Sequence, residues 1–198
     1  MPIDCTGALT ANITYDCANA PVGGIEQNVK LINQADIDYA ATTFSSTNPA
    51  LITSLVLKAG AQAYTLTGVK QTNGKSWELV KKDNAPDKFM HTFSGVILNP
   101  SAANKLQASA LAQGSRYIAV VEQKWKGANS ADAFEVLGIR AGLEIATMTN
   151  NSAENDNTIV FTLASASGFE EPNMAATLLE TDYETTLLAF NNDFATSP

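Results

Sequence analysis

Residues 116–145 constrain the fold more than any other stretch, because they contain two long apolar-rich runs joined by a polar connection. The first run, RYIAVVEQKWK, ends at Lys126, and the second, AFEVLGIRAGLEI, begins at Ala133. This pattern predicts a long β-hairpin. Apolar residues fall on both faces near the middle of each arm, so we expect a central hairpin covered on both sides. Gly138 and Gly142 lie inside the second arm and predict a bulge, a bend or a close backbone contact there.

Alternation of apolar and polar residues predicts further strands along the chain. The segments expected to be strands are 26–33, 51–58, 62–67, 76–82, 88–98 and 158–164, with a helix or strand at 174–180 and at 183–190. We interpret two of them, 51–58 and 62–67, as a second hairpin that turns at 59–61. The dipeptide Asn73-Gly74 predicts a tight turn between the strands on either side of it.

One α-helix is expected at about residues 99–113. Asn99 can cap its first turn, Pro100 suits the first helical position, and Gly114 follows its end. Small apolar residues recur at three- and four-residue spacing, which predicts a helix that lies close against a sheet. The stripe consists of Ala103, Leu106, Ala110 and Leu111.

These elements predict a mainly β fold, a β-sandwich or barrel-like core of about nine strands with one flanking α-helix. At 198 residues and 45% apolar composition, the chain is long and apolar enough for one substantial core. We expect residues 1–198 to form a single domain, with residues 1–24 as an extended N-terminal arm.

Charge and composition limit the possible partners. A net charge of −8 repels phosphate and argues against nucleic-acid recognition. No apolar run approaches the roughly 18 residues of a membrane span, and residues 1–5 lack the features of a signal peptide, so we expect no membrane partner. Cys5 and Cys17 are then expected to be free thiols at synthesis, while their later redox state stays open.

Few residues suggest catalysis. His91 alternates with phenylalanines and is expected to be a core or strand-face histidine rather than a general base, since no nucleophile motif accompanies it. Asp36 and Asp38, or Glu170 and Glu171, could serve as paired carboxylates or bind calcium, but such pairs are common on acidic surfaces. We therefore expect no catalytic, cofactor-binding or metal-binding residues, no cofactor, and a protein that is not an enzyme.

Two tryptophans are the main aromatic candidates for a surface site. Trp77 and Trp125 each lie in an expected strand among lysines. They fit either a binding surface or an amphipathic cap at the edge of a sheet.

The order of motifs along nearly the whole chain supports a comparison with a known family. The motifs are IDC at 3–5, ITY at 13–15, VGGI at 22–25, VKLIN at 29–33, the expected helix, the hairpin, and EP at 171–172. This order resembles that of virion structural proteins of tailed phages infecting Bacteroidetes-type bacteria, and most of all a tail tube subunit. The resemblance implies a β-sandwich or barrel-like core in stacked rings, commonly hexameric, around a channel for DNA.

The resemblance further implies the partners and the location of the protein. The partners would be other copies of the chain, other virion tail proteins, and DNA only as non-specific cargo in the lumen. The protein would be found in the virion and, before assembly, in the host cytoplasm. Contacts would involve the N-terminal arm and the loops at 34–49, 68–75 and 127–132. The acidic residues considered for the lumen are Asp36, Asp38, Glu122, Glu135, Glu144 and Glu154.

Two alternatives stay open at this point. A capsid decoration, head-fibre or tail-terminator protein would form a closed ring, a trimer or a monomer rather than an open stack. A non-enzymatic β-sandwich binding module would expose aromatic residues around a polar groove.

Overall fold

The computed structural model describes residue 9 and residues 11–197. Within them the chain forms thirteen strands and two α-helices. The strands are β1 (Ile25–Asn33), β2 (Thr43–Phe44), β3 (Leu51–Ser54), β4 (Val56–Leu57), β5 (Tyr64–Thr67), β6 (Gly74–Val80), β7 (Lys88–Ile97), β8 (Tyr117–Gln123), β9 (Phe134–Leu137), β10 (Glu144–Asn150), β11 (Ile159–Ala164), β12 (Ala176–Leu178) and β13 (Ala195–Thr196). The helices are α1 (Ala102–Leu111) and α2 (Tyr183–Asn191), and short 3₁₀ helices lie at Cys17–Asn19, Gln34–Asp36 and Ala128–Ser130.

The strands form two main sheets that pack face to face. The larger sheet has the order β2-β3-β12-β9-β8-β1-β5, the smaller one has the order β10-β11-β7-β6, and β4 pairs separately with β13. Side chains of both sheets meet in one buried cluster, with Val29 and Leu137 from the larger sheet and Phe93 and Phe161 from the smaller. The expected mainly β fold with a flanking helix is confirmed, and of its two forms the open sandwich is the one observed.

The central hairpin is also confirmed. β8 and β9 pair antiparallel, with Val120 opposite Val136, and β8 is further flanked by β1. Val121 enters the sandwich core, whereas Val120 enters a second buried cluster on the other face of the larger sheet. That second cluster lies under α2, where the rings of Phe134 and Phe190 are 5.2 Å apart. Burial on both faces explains why β8 is an almost unbroken apolar run.

The second arm of the hairpin is shorter than predicted. It was expected to run to Ile145, but β9 ends at Leu137 and the chain turns through residues 138–142. Gly138 and Gly142 have φ angles of +75° and +78°, which strand residues do not adopt. The glycines therefore make the bend that carries the chain from the larger sheet into β10 of the smaller one.

The predicted hairpin of 51–58 with 62–67 is wrong. β3 pairs parallel with β12, β4 pairs parallel with β13, and β5 pairs with β1. The turn at Gly60 exists, with φ +77°, but the flanking segments bury their apolar residues against distant strands instead. Local turn chemistry is thus overridden by long-range burial.

Asn73-Gly74 is likewise not a tight hairpin turn. Gly74 is already the first residue of β6, and β5 and β6 belong to different sheets, so they cannot pair across a two-residue turn. The buried Asn73 side chain instead donates to the carbonyl oxygen of Gln27 and accepts the N–H of Val96, both at 3.3 Å. It thereby joins the two sheets.

The predicted helix is present but packs differently. α1 is capped by Ser101 rather than Asn99, since the Ser101 hydroxyl accepts the N–H of Asn104 at 3.2 Å. The expected apolar stripe is wrong at Leu106, which is 67% exposed, while Ala108 is the buried residue of the helix. α1 contacts the start of β8, where the Tyr117 hydroxyl donates to the carbonyl oxygen of Ala110 at 3.1 Å.

Segment 183–190, open between strand and helix in the sequence, is helix α2. Asp182 caps it by accepting the N–H of Thr185 at 2.8 Å. The segment at 174–180 contains the strand β12, which pairs with β9 and β3.

Gly138→Ala should destabilise the fold far more than Gly60→Ala. At Gly138 the new Cβ would lie 2.8 Å from Leu143 Cγ and 3.1 Å from Tyr117 O, whereas nothing lies within 4 Å at Gly60. Both positions have a positive φ, so both variants carry the backbone cost of about 1–2 kcal/mol. The clash should add roughly 1–3 kcal/mol at Gly138 alone. Urea unfolding of both variants measures this, and equal losses would contradict the assigned crowding.

Candidate functional site

His91, the single histidine of the sequence, lies on β7 and is buried between the sheets with 1% exposure. Its Nδ1 accepts the N–H of Gly138 at 3.1 Å, and its Nε2–H donates to the carbonyl oxygen of Asn173 at 3.0 Å. Burial lowers the pKa of His91 to about 4, and the charge of Lys75 acts in the same direction. The ring is therefore neutral at pH 7 with both nitrogens engaged, which confirms the prediction of a core histidine.

Glu171 holds the same bend as His91. It is 1% exposed and accepts the N–H of Arg140 at 2.9 Å and that of Ala141 at 2.7 Å. Burial raises the pKa of Glu171, and the backbone donors oppose that rise. His91 and Glu171 thus provide acceptors for three backbone N–H groups of residues 138–142.

Glu170 does not form a carboxylate pair with its neighbour Glu171. Its Oε1 accepts from the Lys82 ammonium group at 2.7 Å and from the N–H of Gly168 at 3.1 Å. The hydrogen bond from Lys82 is the main reason why the pKa of Glu170 falls to about 2. The two glutamates therefore serve separate structural contacts.

Asp36 and Asp38 also serve local structure. Asp38 accepts the N–H groups of Ala40 and Ala41 at 2.9 and 3.1 Å, which closes a turn. Asp36 accepts from the side-chain amide of Asn33 at 2.7 Å. In the part of the chain that the structure describes, no cluster of three or more His, Cys, Asp or Glu side chains is arranged to hold a metal ion.

Lys75 and Glu135 form an ion pair between the two sheets, from β6 to β9. Their side chains are 19% and 9% exposed. Burial lowers the pKa of Lys75 to about 8. The pair ties the edge of the smaller sheet to the centre of the larger one.

Two residues proposed for an acidic lumen are excluded from it by burial. Glu135 faces the sandwich interior, and the Glu122 side chain is only 12% exposed, beside Lys126 and the hydroxyl of Tyr183. Glu144 is half-buried and accepts from a neighbouring arginine at 2.8 Å. The acidic residues that stay available to a lumen without an ion pair are Asp36, Asp38 and Glu154.

The two tryptophans differ in role. Trp125 donates its indole N–H to the carbonyl oxygen of Asn19 at 2.8 Å and so holds the root of the N-terminal arm. Trp77 lies on the edge strand β6, 40% exposed, with its ring 5.8 Å from that of Phe89. Cys17 is exposed near the same root, whereas Cys5 lies outside the described residues.

Open strand edges are the main surface feature of the sandwich. Among the described residues, the larger sheet ends at β2 and β5 and the smaller sheet ends at β10 and β6. Two of these edges carry exposed large side chains, with Trp77 and Leu79 of β6 40% and 48% exposed and Tyr64 of β5 49% exposed. Large apolar side chains on an unpaired edge are a template for association.

A groove of about 860 Å³ lies between α1 and β5. All four residues of β5 line it, so it runs along the edge of that strand. Its floor is apolar, with Leu31, Leu66, Ile97, Leu111, Tyr117 and Phe161. Its rim is polar and uncharged, with Asn33, Asn99, Asn104 and Gln107.

Sequence reasoning did not find this groove. Its lining comes from β1, β5, the end of β7, α1, β8 and β11, which are far apart in the chain. The only local signal was the series of amide side chains at the start of the predicted helix. A smaller hollow of about 370 Å³ involves Tyr39 and Arg116, and neither cavity is lined by His91 or Glu171.

Comparison with known proteins gives no further assignment. No model of a known protein family matches the sequence, and neither curated proteins nor solved structures contain a similar chain. Neither helix of the described residues has the length and apolar character needed to cross a bilayer.

Acid should destabilise the wild-type fold more steeply than a His91→Gln variant. Between pH 6.5 and about 4 the unfolded chain protonates its histidine while the folded chain does not, so stability falls as the pH falls. The full loss is roughly 3 kcal/mol. Replacing His91 should lower stability at pH 7, and the fall in stability with falling pH that His91 causes should disappear.

The measurement is urea unfolding of both proteins from about pH 7 to about pH 4.5. Glu171, whose raised pKa acts in the opposite sense, is present in both, so the difference reports His91 alone. Parallel pH profiles would show that His91 is not kept neutral by the fold.

Proposed function

We propose that this chain is a structural subunit of a phage virion that self-assembles into stacked rings of a tail tube. The observation that carries the proposal is the pair of open edges on the four-stranded sheet. No strand of the described residues pairs with the outer side of β6 or of β10. Unprotected edges suit a subunit whose neighbours cover them. The order of sequence motifs supports the same family of virion proteins.

The strand directions of the smaller sheet suit ring formation. Its four strands are all antiparallel, so β6 and β10 run in opposite directions. The β6 edge of one copy can therefore pair antiparallel with the β10 edge of the next, and the alternation continues from subunit to subunit. Such a head-to-tail contact closes a ring or extends a filament.

The side chains at these edges support close association. On β6, Trp77 and Leu79 are exposed, and on β10 the exposed residues include Thr147 and Thr149. These are β-branched or large apolar residues, which suit sheet contacts. β6 also carries the exposed Glu78, whereas Lys75 of β6 and Glu144 of β10 are in ion pairs within the subunit, so few unpaired charges oppose pairing between neighbouring chains.

Charge is compatible with a channel that DNA passes through without sticking. The net charge is −8, and DNA would be cargo rather than a specific ligand. Asp36, Asp38 and Glu154 are the acidic residues for this lumen. The partners in this proposal are other copies of the chain and other tail proteins of the virion.

A non-enzymatic binding module is the second candidate, and the α1–β5 groove favours it. An apolar floor with an uncharged polar rim is the usual form of a ligand site. A protein of this kind would bind its ligand as a monomer and would not form rings.

Negative-stain microscopy and sedimentation velocity of the purified chain over a concentration series test the assembly. Rings or hollow tubes of constant width are expected. A closed trimer or a single ring that never stacks would favour a decoration, head-fibre or terminator protein. A monomer at all concentrations, and also when mixed with tail tips from particles, would overturn the proposal.

Leu79→Lys should block this assembly. The substitution places a charge on the exposed β6 edge, where a lysine disfavours pairing with another strand, and should raise the critical concentration at least about tenfold. Leu188→Lys is the matched control, because Leu188 is 60% exposed on α2, away from the sheet edges. Equal effects of the two variants, or none, would contradict a contact at β6.

A further inference from the structure

The N-terminal arm carries large apolar side chains that its own subunit leaves exposed. Leu9, Ile13, Tyr15 and Val22 are 82%, 87%, 70% and 58% exposed. Between residues 11 and 24 only the 3₁₀ turn Cys17–Asn19 forms regular structure. Several exposed apolar side chains along one segment indicate a surface that another molecule covers.

The α1–β5 groove combines an apolar floor with an unpaired strand edge. Gly68 donates its N–H to the carbonyl oxygen of Gln27 in the β1–β5 register. Because backbone groups alternate along an antiparallel strand, those of Leu66 then point toward β1, and those of Thr65 and Thr67 point away from it. The outward groups lie along the groove, and no strand of the described residues pairs with them.

We propose that the N-terminal arm of one subunit docks in the α1–β5 groove of a second copy and adds a strand beside β5. This inference rests on the proposed self-assembly and names two surfaces that meet in it. Ile13 and Tyr15 are two residues apart, so an extended arm presents both on one face. That face can pack on the apolar floor while the backbone pairs with Thr65 and Thr67.

The charges of the two surfaces match. No charged side chain of the described residues lines the groove, and the sequence of residues 9–15 contains none, although the chain as a whole has a net charge of −8. A neutral arm enters a neutral groove without removing any ion from water, which a charged segment could not do. The rim amides can hydrogen-bond the polar side chains of the arm.

The geometry favours a second copy over the arm's own subunit. In the structure the arm does not occupy the groove of its own subunit, because Ile13 and Tyr15 are 87% and 70% exposed and neither lines the groove. The root of the arm is instead held just after β8, where Trp125 donates to the carbonyl oxygen of Asn19. An arm and a groove on different parts of one subunit make a head-to-tail contact, which propagates from subunit to subunit.

Cross-linking tests the contact directly in the full chain. Ile13→Cys and Gln107→Cys are made separately, each with Cys5→Ser and Cys17→Ser, mixed and oxidised. We expect a disulfide between the two different subunits, identified by mass spectrometry of the joined peptides. Ile13→Cys mixed with Leu188→Cys is the control, since Leu188 is exposed on α2 and should give no such product.

A backbone variant tests the added strand. Thr67→Pro removes an N–H that faces away from β1, so the subunit keeps its own ladder and loses only a donor to the arm. Self-association measured by sedimentation should weaken at least about tenfold, whereas Thr67→Ala keeps the N–H and should behave like wild type.

The outcomes separate this inference from the proposed function. Rings or tubes that form without the cross-link and regardless of Thr67→Pro would overturn the docking and leave the tail-tube proposal standing. Cross-linking in small closed oligomers that never stack would support the docking and overturn the tube. A disulfide within one subunit, found in a monomer carrying both cysteines, would overturn docking between copies.

Discussion

The sandwich depends on how the bend at residues 138–142 is held. There the chain leaves the centre of the larger sheet and enters the smaller one, and the N–H groups of Gly138, Arg140 and Ala141 join neither ladder. His91 and Glu171 accept them, and both residues belong to the segments that pair at the start of β7. An unsatisfied buried donor costs about 1–3 kcal/mol. His91 and Glu171 are the polar residues that most resemble a catalytic site. Their role in the structure is to hold the bend that connects the two sheets.

The same principle accounts for most charged residues in the interior. Lys75 and Glu135 connect the sheets, and the Lys30 ammonium group, 6% exposed, binds Asp193 just after α2. Among the described residues, the buried Lys30, Glu135 and Glu170 each have a charged partner, as burial in a low dielectric requires. The α1–β5 groove has no charged residue among those that line it, and Glu78 is the exposed charge on β6. The surfaces available to partners are consequently apolar or amide-rich, which suits association more than catalysis.

The two proposed contacts use different parts of the sandwich and are compatible with each other. Pairing between β6 and β10 would continue the smaller sheet from one copy to the next, and the arm would add to β5 at the edge of the larger sheet. Each contact is head-to-tail, so both can act in the same ring or stack without competing for a surface. An assembly built this way would cover the most exposed apolar residues of the edge and of the arm.

Local patterns in the sequence were sufficient for the mainly β fold, the central hairpin buried on both faces, the bend at Gly138 and Gly142, and the presence of α1. Each of these follows from periodicity or from backbone freedom within a few neighbouring residues. The partners of β3, β4 and β5, the true role of Asn73 and the groove beside α1 could not be obtained in that way. They depend on which distant apolar surfaces bury each other. Strands with a similar alternation of apolar and polar residues share the same local properties, so nothing local selects the partner of each strand.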